Sequence, residues 1–236
     1  IGTILLTGPK SELLIANLTD DKTDVSNFPW LTHKEINLCN EKCRVLKVSY
    51  AGEKGFEIHI ANNSMSKVYN ELIKFGENYD LVHFGMLALD SMRLEKNYRS
   101  WKSDLTSDYT ILQSGLAKWI NFSKENFIGK EALTKESEIG VTKKFVTLVV
   151  DDPEDNKAFG EPVYLSPVFA GDKYLGPVVS SGYGHRVKKS ISMAILDDRN
   201  LDGLNDQLHI DVLGRKRKAH IVKEALYDPE NNRLRS

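Results

Sequence analysis

Apolar and polar residues change rhythm along this chain, and the change near Glu138-Ile139-Gly140 divides it. Ile4–Thr7 is a short apolar run ended by Gly8-Pro9, which reads as a buried strand closing in a turn. Ser11–Leu18 offers Leu13, Leu14 and Leu18 to a short helix, and Thr19–Asn27 is polar and loop-like. Phe28, Trp30 and Leu31 resume packing around Pro29. Ile36–Leu38 predicts a short strand and Asn40-Glu41-Lys42 a hairpin turn. Cys43–Tyr50 then alternates, with Leu46, Val48 and Tyr50 on one face and Val45, Lys47 and Ser49 on the other. Gly52 and Gly55 bracket a tight turn, since glycine tolerates positive φ. In the strand that follows, Phe56, Ile58 and Ile60 share one face while Glu57 and His59 share the other.

Helical spacing is clearest over Ser64–Phe75, where Met65, Val68, Tyr69, Leu72 and Ile73 form one stripe and Gly76 supplies a stop. Phe84–Lys96 predicts a second helix with a narrow face of Leu87, Ala88, Ser91 and Leu94. Ile111–Trp119 and Lys130–Lys135 are weaker helical segments. From Phe145 onward the pattern becomes one of short strands: Phe145–Val150, Pro162–Tyr164, Val178–Gly182, Ile191–Leu196, Leu208–Leu213 and His220–Val222. Gly176-Pro177, Asp197-Asp198 and Leu213-Gly214-Arg215 punctuate them as turns. A small antiparallel barrel or sandwich fits this spacing.

Composition narrows the classes without naming a reaction. The chain has 236 residues, 41% hydrophobic and 28% charged, with a net charge of -1. It carries no global basic field for nucleic acid or anionic lipid. No run approaches the roughly 20 apolar residues of a membrane span. The opening Ile1-Gly2-Thr3-Ile4 has no basic n-region, so it is not a signal peptide. It lacks an initiator Met, and the expectation is a start inside a longer protein. Cys39 and Cys43, four apart and without a second pair, read as reduced structural thiols. A reducing compartment follows: cytoplasm, or the mitochondrial matrix in a eukaryote.

Several residues could carry chemistry, each beside a plainer role. Glu57 faces either solvent or a cavity; in a cavity its carboxylate would accept paired N–H donors from an amino-heterocycle. Asp90, Arg93 and Glu95 lie on one helix, where Asp90 and Arg93 are placed to pair with each other. Tyr98, Trp101 and Asp104 follow, as stacking groups or as a cover for the helix end. Ser180-Ser181-Gly182-Tyr183-Gly184-His185 is not a dinucleotide fingerprint and holds no nucleophile elbow; it reads as a hairpin between barrel strands. Gly214-Arg215-Lys216-Arg217-Lys218 is a basic hairpin tip, a solvated turn or a weak polyanion contact. No His/Cys/Asp group has metal spacing.

Taken in order, these stretches resemble a known family. Tyr50-Ala-Gly-Glu-Lys-Gly-Phe-Glu57 and Phe84-Gly-Met-Leu-Ala-Leu-Asp-Ser-Met-Arg-Leu-Glu-Lys96 look like the folate-binding fold of the glycine-cleavage T-protein, or aminomethyltransferase. Lys96–Thr106, Phe127–Leu133, Ser181–His185 and Leu226–Arg235 are more similar to the folate-binding C-terminal region of dimethylglycine and sarcosine dehydrogenases. The resemblance implies an α+β fold: a ferredoxin-like aminomethyltransferase lobe over residues 1–140, then a small antiparallel β-barrel over residues 141–236. It implies tetrahydrofolate as the bound cofactor, with Glu57 as the pterin-binding carboxylate, Tyr98 as the pterin-contacting tyrosine and Tyr50 at the pocket lining.

The implied activity is one-carbon transfer from an N-methylated-glycine-derived iminium to tetrahydrofolate, forming 5,10-methylenetetrahydrofolate. FAD would belong to a separate domain of a parent dehydrogenase. The chain departs from the T-protein pattern at Leu89, where that protein has a folate-contacting Arg directly before the helix Asp. The family's assisting Asp, upstream of the Gly-Pro-x-Ser motif, falls before Ile1. The isolated chain is therefore expected to be inactive, and to self-associate through uncovered apolar surface. A stand-alone aminomethyltransferase, a folate-dependent demethylase and a non-catalytic folate-binding or interaction module are the alternatives.

Overall fold

A computed structural model describes residues 1–19, 25, 27–151, 160–197 and 201–235. The chain gathers into two units, Ile1–Lys96 with Tyr227–Ser236, and Asn97–Leu226.

The first unit is built on a four-stranded antiparallel sheet. Its elements are β1 (Gly2–Thr7), α1 (Ser11–Leu18), β2 (His33–Leu38), β3 (Glu41–Leu46), β4 (Gly55–Ile60), α2 (Asn62–Gly76) and α3 (Met86–Glu95). The strand order is β1-β4-β3-β2. Strict alternation sorts the two faces. Phe56, Ile58, Cys43, Val45 and Ile36 are buried against Leu14, Ile15 and Leu18 of α1 and Val68 and Leu72 of α2. On the opposite face, paired register aligns Thr3, His59, Arg44 and Glu35 in one row and Leu5, Glu57, Leu46 and His33 in the next. The expected split of β4 into Phe56/Ile58/Ile60 and Glu57/His59 is thus found.

Local details differ from the sequence reading where a contact outweighs a propensity. The β2–β3 turn is Cys39-Asn40, both at positive φ (55° and 63°), and Glu41 already pairs with Leu38. That two-residue turn matches the twist of the strands it joins. It starts β3 two residues earlier than expected, and the strand ends at Leu46 instead of Tyr50. Val45, not Leu46, faces the core.

α2 ends at Gly76 as expected, but not through a left-handed glycine. Its φ is -64°, and the chain continues through a 3-10 turn to Asp80 at φ 60°. Glycine is needed there because a Cβ would lie 2.3 Å from Leu81 Cδ2. The apolar face expected of α3 is also wrong. Leu87 is 90% exposed, while Arg93, Leu94, Glu95 and Lys96 are all buried, so this helix buries its C-terminal end and not a stripe. Of the polar loop expected at Thr19–Asn27, Asp20–Asp24 and Ser26 lie outside the described residues; Thr19 and Val25 are buried.

The second unit carries α4 (Lys130–Ile139) and a closed barrel. Its strands are β5 (Lys143–Val150), β6 (Pro167–Ala170), β7 (Lys173–Gly184), β8 (Lys189–Asp197), β9 (Leu208–Val212) and β10 (Arg215–Val222). They run β10-β5-β8-β7-β6-β9 and close, with every pairing antiparallel. Leu148, Val150, Val168, Val178, Ala194, Leu196 and Ile210 are among the residues of its core. The fold class is therefore the one expected, a mixed α/β lobe and a six-stranded antiparallel barrel.

Two turn readings and one strand reading fail in the barrel. Gly176-Pro177 lies inside β7, opposite an irregularity in β6, with Gly176 at φ 154°. A Cβ there would meet the Ile195 carbonyl oxygen at 2.1 Å, so only glycine fits this bulge in the wall. Ser180–Gly184 is strand, and the hairpin turn is His185–Lys188. Pro162–Tyr164 is not a strand; Pro167–Ala170 takes that place. The Leu213-Gly214 turn is as expected, with Val212 paired to Arg215. Asp198 of the Asp197-Asp198 turn lies outside the described residues.

Ile111–Trp119 forms turns with a 3-10 segment only at Ala117–Trp119. Gly115 sits at φ 68°, and the Thr110 hydroxyl takes the Gln113 N–H at 3.1 Å, a local bond that competes with helix. After β10 the chain rejoins the first unit and ends in α5 (Asn232–Arg235).

Candidate ligand site

The β3–β4 connection, residues 47–54, is held from several sides within the first unit. The Lys54 carbonyl accepts from the Gly8 N–H at 2.8 Å and from the Thr7 and Ser11 hydroxyls, each at 3.3 Å. Glu12 of α1 grips both Lys47 (3.2 Å) and Lys54 (3.3 Å). The Ala51 N–H donates to the Ser49 hydroxyl at 3.3 Å. Gly52, at φ 81°, rests on the Lys96 side chain, whose Cδ would lie 3.1 Å from a Cβ there.

Three residues beyond this turn stands Glu57. Its side chain is 35% exposed, and its Oε2 lies 3.3 Å from His59 Nε2, from which it accepts when that nitrogen carries the proton. Partial exposure on an uncovered sheet face leaves carboxylate lone pairs for a ligand. A planar heterocycle offering two N–H groups is the natural complement. Tyr50, half-buried, opens the same turn. Glu57 and Tyr50 thus belong to one unit, while Tyr98, also half-buried, belongs to the second.

The neighbouring candidates resolve into structural roles. Arg93 is 2% exposed at its side chain and donates from Nε to Asp90 Oδ1 at 2.7 Å, the pairing expected from their spacing. In the second unit Asp104 is fully buried. It accepts the Ser100 N–H at 2.7 Å and the hydroxyl of Ser180, so the Ser180 group is a strand anchor. The Arg99 guanidinium lies 4.3 Å above the Phe145 ring; burial pushes its pKa down, opposed by the charge of Asp104.

The basic cluster splits. Arg217 is buried and donates to the carbonyls of Asp151 and Gly160, while Arg215, Lys216 and Lys218 are exposed. Cys39 and Cys43 are free thiols; burial raises the Cys43 pKa to about 11. No helix among the described residues is long and apolar enough to cross a membrane.

Sequence reasoning missed the hub of the turn. Lys96 and Asp228 form an ion pair at 3.0 Å with side chains only 1% and 6% exposed. Nothing in local spacing joins residues so far apart in the chain, and only the buried contact reveals them.

An uncovered sheet face with a carboxylate on a clamped hairpin, in a chain that also holds a closed barrel, defines a two-module protein suited to a small polar ligand. The modules have known counterparts. Residues 1–124 match the GCVT N-terminal domain, and residues 143–228 match the glycine cleavage T-protein C-terminal barrel domain. The chain belongs to the glycine cleavage T-protein family.

Among its relatives is the aminomethyltransferase of Alkaliphilus oremlandii (strain OhILAs), 31% identical over 229 residues, or 96% of this chain and 60% of that protein. The mitochondrial sarcosine dehydrogenase of Mus musculus is 29% identical, covering 100% of this chain and 26% of the enzyme. The mitochondrial dimethylglycine dehydrogenase of Homo sapiens is 27% identical over 99% of this chain and 27% of the enzyme. The fold is shared with the crystal structure of the glycine cleavage system aminomethyltransferase T from Bartonella henselae. The TM-score is 0.79 at 18% identity, over 97% of this chain and 61% of that one. This chain therefore spans about 60% of an aminomethyltransferase relative and about a quarter of a dehydrogenase.

Proposed function

We propose that this chain is the tetrahydrofolate-binding, one-carbon-transfer portion of a dimethylglycine or sarcosine dehydrogenase-like enzyme. The observation that carries the reading is Glu57, a partly exposed carboxylate just past a clamped turn, at the position where the family motif places its pterin anchor. A pterin's amino-pyrimidinone edge supplies the paired N–H donors that this carboxylate can accept. Tyr50 lines the pocket, and the family motif places its pterin-contacting tyrosine at Tyr98. Residues 1–140 form the folate lobe and 141–236 the barrel domain.

The lobe acts by positioning. It holds the nucleophilic nitrogen of tetrahydrofolate against the iminium carbon derived from an N-methylated glycine; that nitrogen adds to the carbon, the second folate nitrogen then displaces the demethylated amine, and 5,10-methylenetetrahydrofolate results. Ideal geometry lowers such a barrier by about 7–11 kcal/mol. In such an enzyme a further, FAD-carrying domain would supply the oxidation that yields the iminium. A reducing compartment, cytoplasm or mitochondrial matrix, suits the two free thiols. Leu89, in place of the T-protein Arg, favours the dehydrogenase branch. A stand-alone aminomethyltransferase is the second reading, favoured by the 31% identity to such a protein.

Calorimetric titration of this chain with tetrahydrofolate tests the site. Binding by the wild type and at least a tenfold loss in Glu57→Ala are expected; equal affinity in the two removes Glu57 from the site. Covalent continuity with a G-x-G-x-x-G domain supports the dehydrogenase reading, and a gene without one supports the aminomethyltransferase.

A further inference from the structure

The segment after the barrel, Tyr227–Arg235, lies on the first unit and converges on the turn that leads to Glu57. Lys96 is its anchor. The Lys96 ammonium donates to Asp228 Oδ2 at 3.0 Å, to the Tyr227 carbonyl at 3.5 Å and to the Asp228 carbonyl. Those three acceptors use its full donor capacity. Asp228 in turn accepts the Arg233 and Leu234 N–H groups at 3.2 and 3.3 Å, which ties the start of α5 to the same carboxylate. Burial alone would raise the Asp228 pKa, but the bond from Lys96 and those from the two amides outweigh it and hold the carboxyl below its usual range.

The strap and its anchor each touch the turn once. The Lys96 stem lies under Gly52, and the Tyr227 phenol donates to Glu53 Oε1. Meanwhile the Tyr227 N–H closes on the Glu95 carbonyl at 3.0 Å. Glu53 is thus held by Tyr227 from far along the chain, Gly52 by Lys96, and Lys54 by Thr7, Gly8 and Ser11. Glu57 follows directly on β4.

We propose that Lys96, Tyr227 and Asp228 are positioning residues for the Glu57 carboxylate, a C-terminal latch that sets the β3–β4 turn for ligand binding. This rests on the reading of Glu57 as the pterin anchor. The latch touches no ligand. It narrows the range of turn conformations, so that the carboxylate meets its N–H donors without first being ordered. Because Tyr227–Arg235 leaves the ribosome after the barrel strands, the turn reaches its final geometry only in the complete chain.

Two measurements on the full chain test this. Hydrogen exchange of the peptide spanning residues 48–56 reads the turn without any folate. Tyr227→Phe, which removes one hydroxyl, and Asp228→Asn should each accelerate exchange there while leaving α2 as protected as in the wild type. Calorimetry with tetrahydrofolate then reads the consequence. Asp228→Asn should weaken binding roughly tenfold and Tyr227→Phe roughly threefold, and both effects should vanish in a Glu57→Ala background. A merely structural role would persist there. Unchanged exchange at 48–56, or wild-type affinity in both variants, overturns the latch while leaving Glu57 as the anchor. A wild-type chain that does not bind tetrahydrofolate overturns the anchor and the positioning role with it.

Discussion

The sheet of the first unit and the barrel of the second solve the same problem, hiding one face of an antiparallel sheet, in opposite ways. The barrel closes on itself: β9 pairs with β10, no strand is left as an edge, and Leu148, Val178, Ala194 and Ile210 fill the inside. Its buried Arg217 is tied down, donating to the carbonyls of Asp151 and Gly160. The four-stranded sheet instead buries one face against α1 and α2 and leaves β1 and β2 as edges. Its other face carries Glu35, Arg44, Glu57 and His59, in ion pairs and hydrogen bonds that remain reachable. Closure gives a scaffold with little freedom to vary. An open face lets a carboxylate sit on a rigid strand without paying the full cost of desolvation.

The contrast can be broken most sharply at Gly176. Gly176→Ala forces a Cβ into the Ile195 carbonyl, so the barrel should lose about 4 kcal/mol or more, enough to abolish its cooperative melt by circular dichroism. Adjacent residues of β4 should then show the two faces of the open sheet. Phe56→Ala, in the core, should cost about 3–5 kcal/mol in urea unfolding, while Glu57→Ala should stay within about 0.5 kcal/mol. Similar losses for both would mean that the polar face is packed like the other.

Acid should distinguish the latch. The Asp228 carboxyl titrates lower folded than unfolded, so its stabilisation is present above the ordinary carboxyl value of about 4 and is lost as pH falls through the folded value. Asp228→Asn should lower stability at pH 7 and flatten the fall between pH 5 and pH 2, measured by chemical denaturation. The smallest change concerns the β2–β3 turn. Asn40→Gly relieves a left-handed residue and should raise the urea midpoint by an amount equivalent to about 0.5–1 kcal/mol.

Alternation made β4 and its polar Glu57 legible from the residues alone, because a strand with one buried face must repeat every two positions. Helical spacing likewise located α1 and α2, and the run of short strands announced a barrel or a sandwich. Motif order drew attention to Glu57, Tyr50 and Tyr98. What failed were positions where a distant atom sets a local conformation. Gly176 reads as a turn, but it is a bulge dictated by a strand that follows almost twenty residues later. Gly76 reads as a helix stop and the helix does end there, but glycine is required as a gap for Leu81 and not for a left-handed cap. Leu87 reads as core, yet α3 buries its charged end.

The latch belongs to the same class. Lys96 is an ordinary lysine at the end of a helix until the fold brings Asp228 against it, and no spacing rule reaches across 131 residues or more. Periodicity is a local property of the chain and survives in the sequence. Closure of the barrel, the φ demanded of Gly176 and the three-acceptor seat of Lys96 arise from atoms that meet only after folding, and tertiary structure alone decided them.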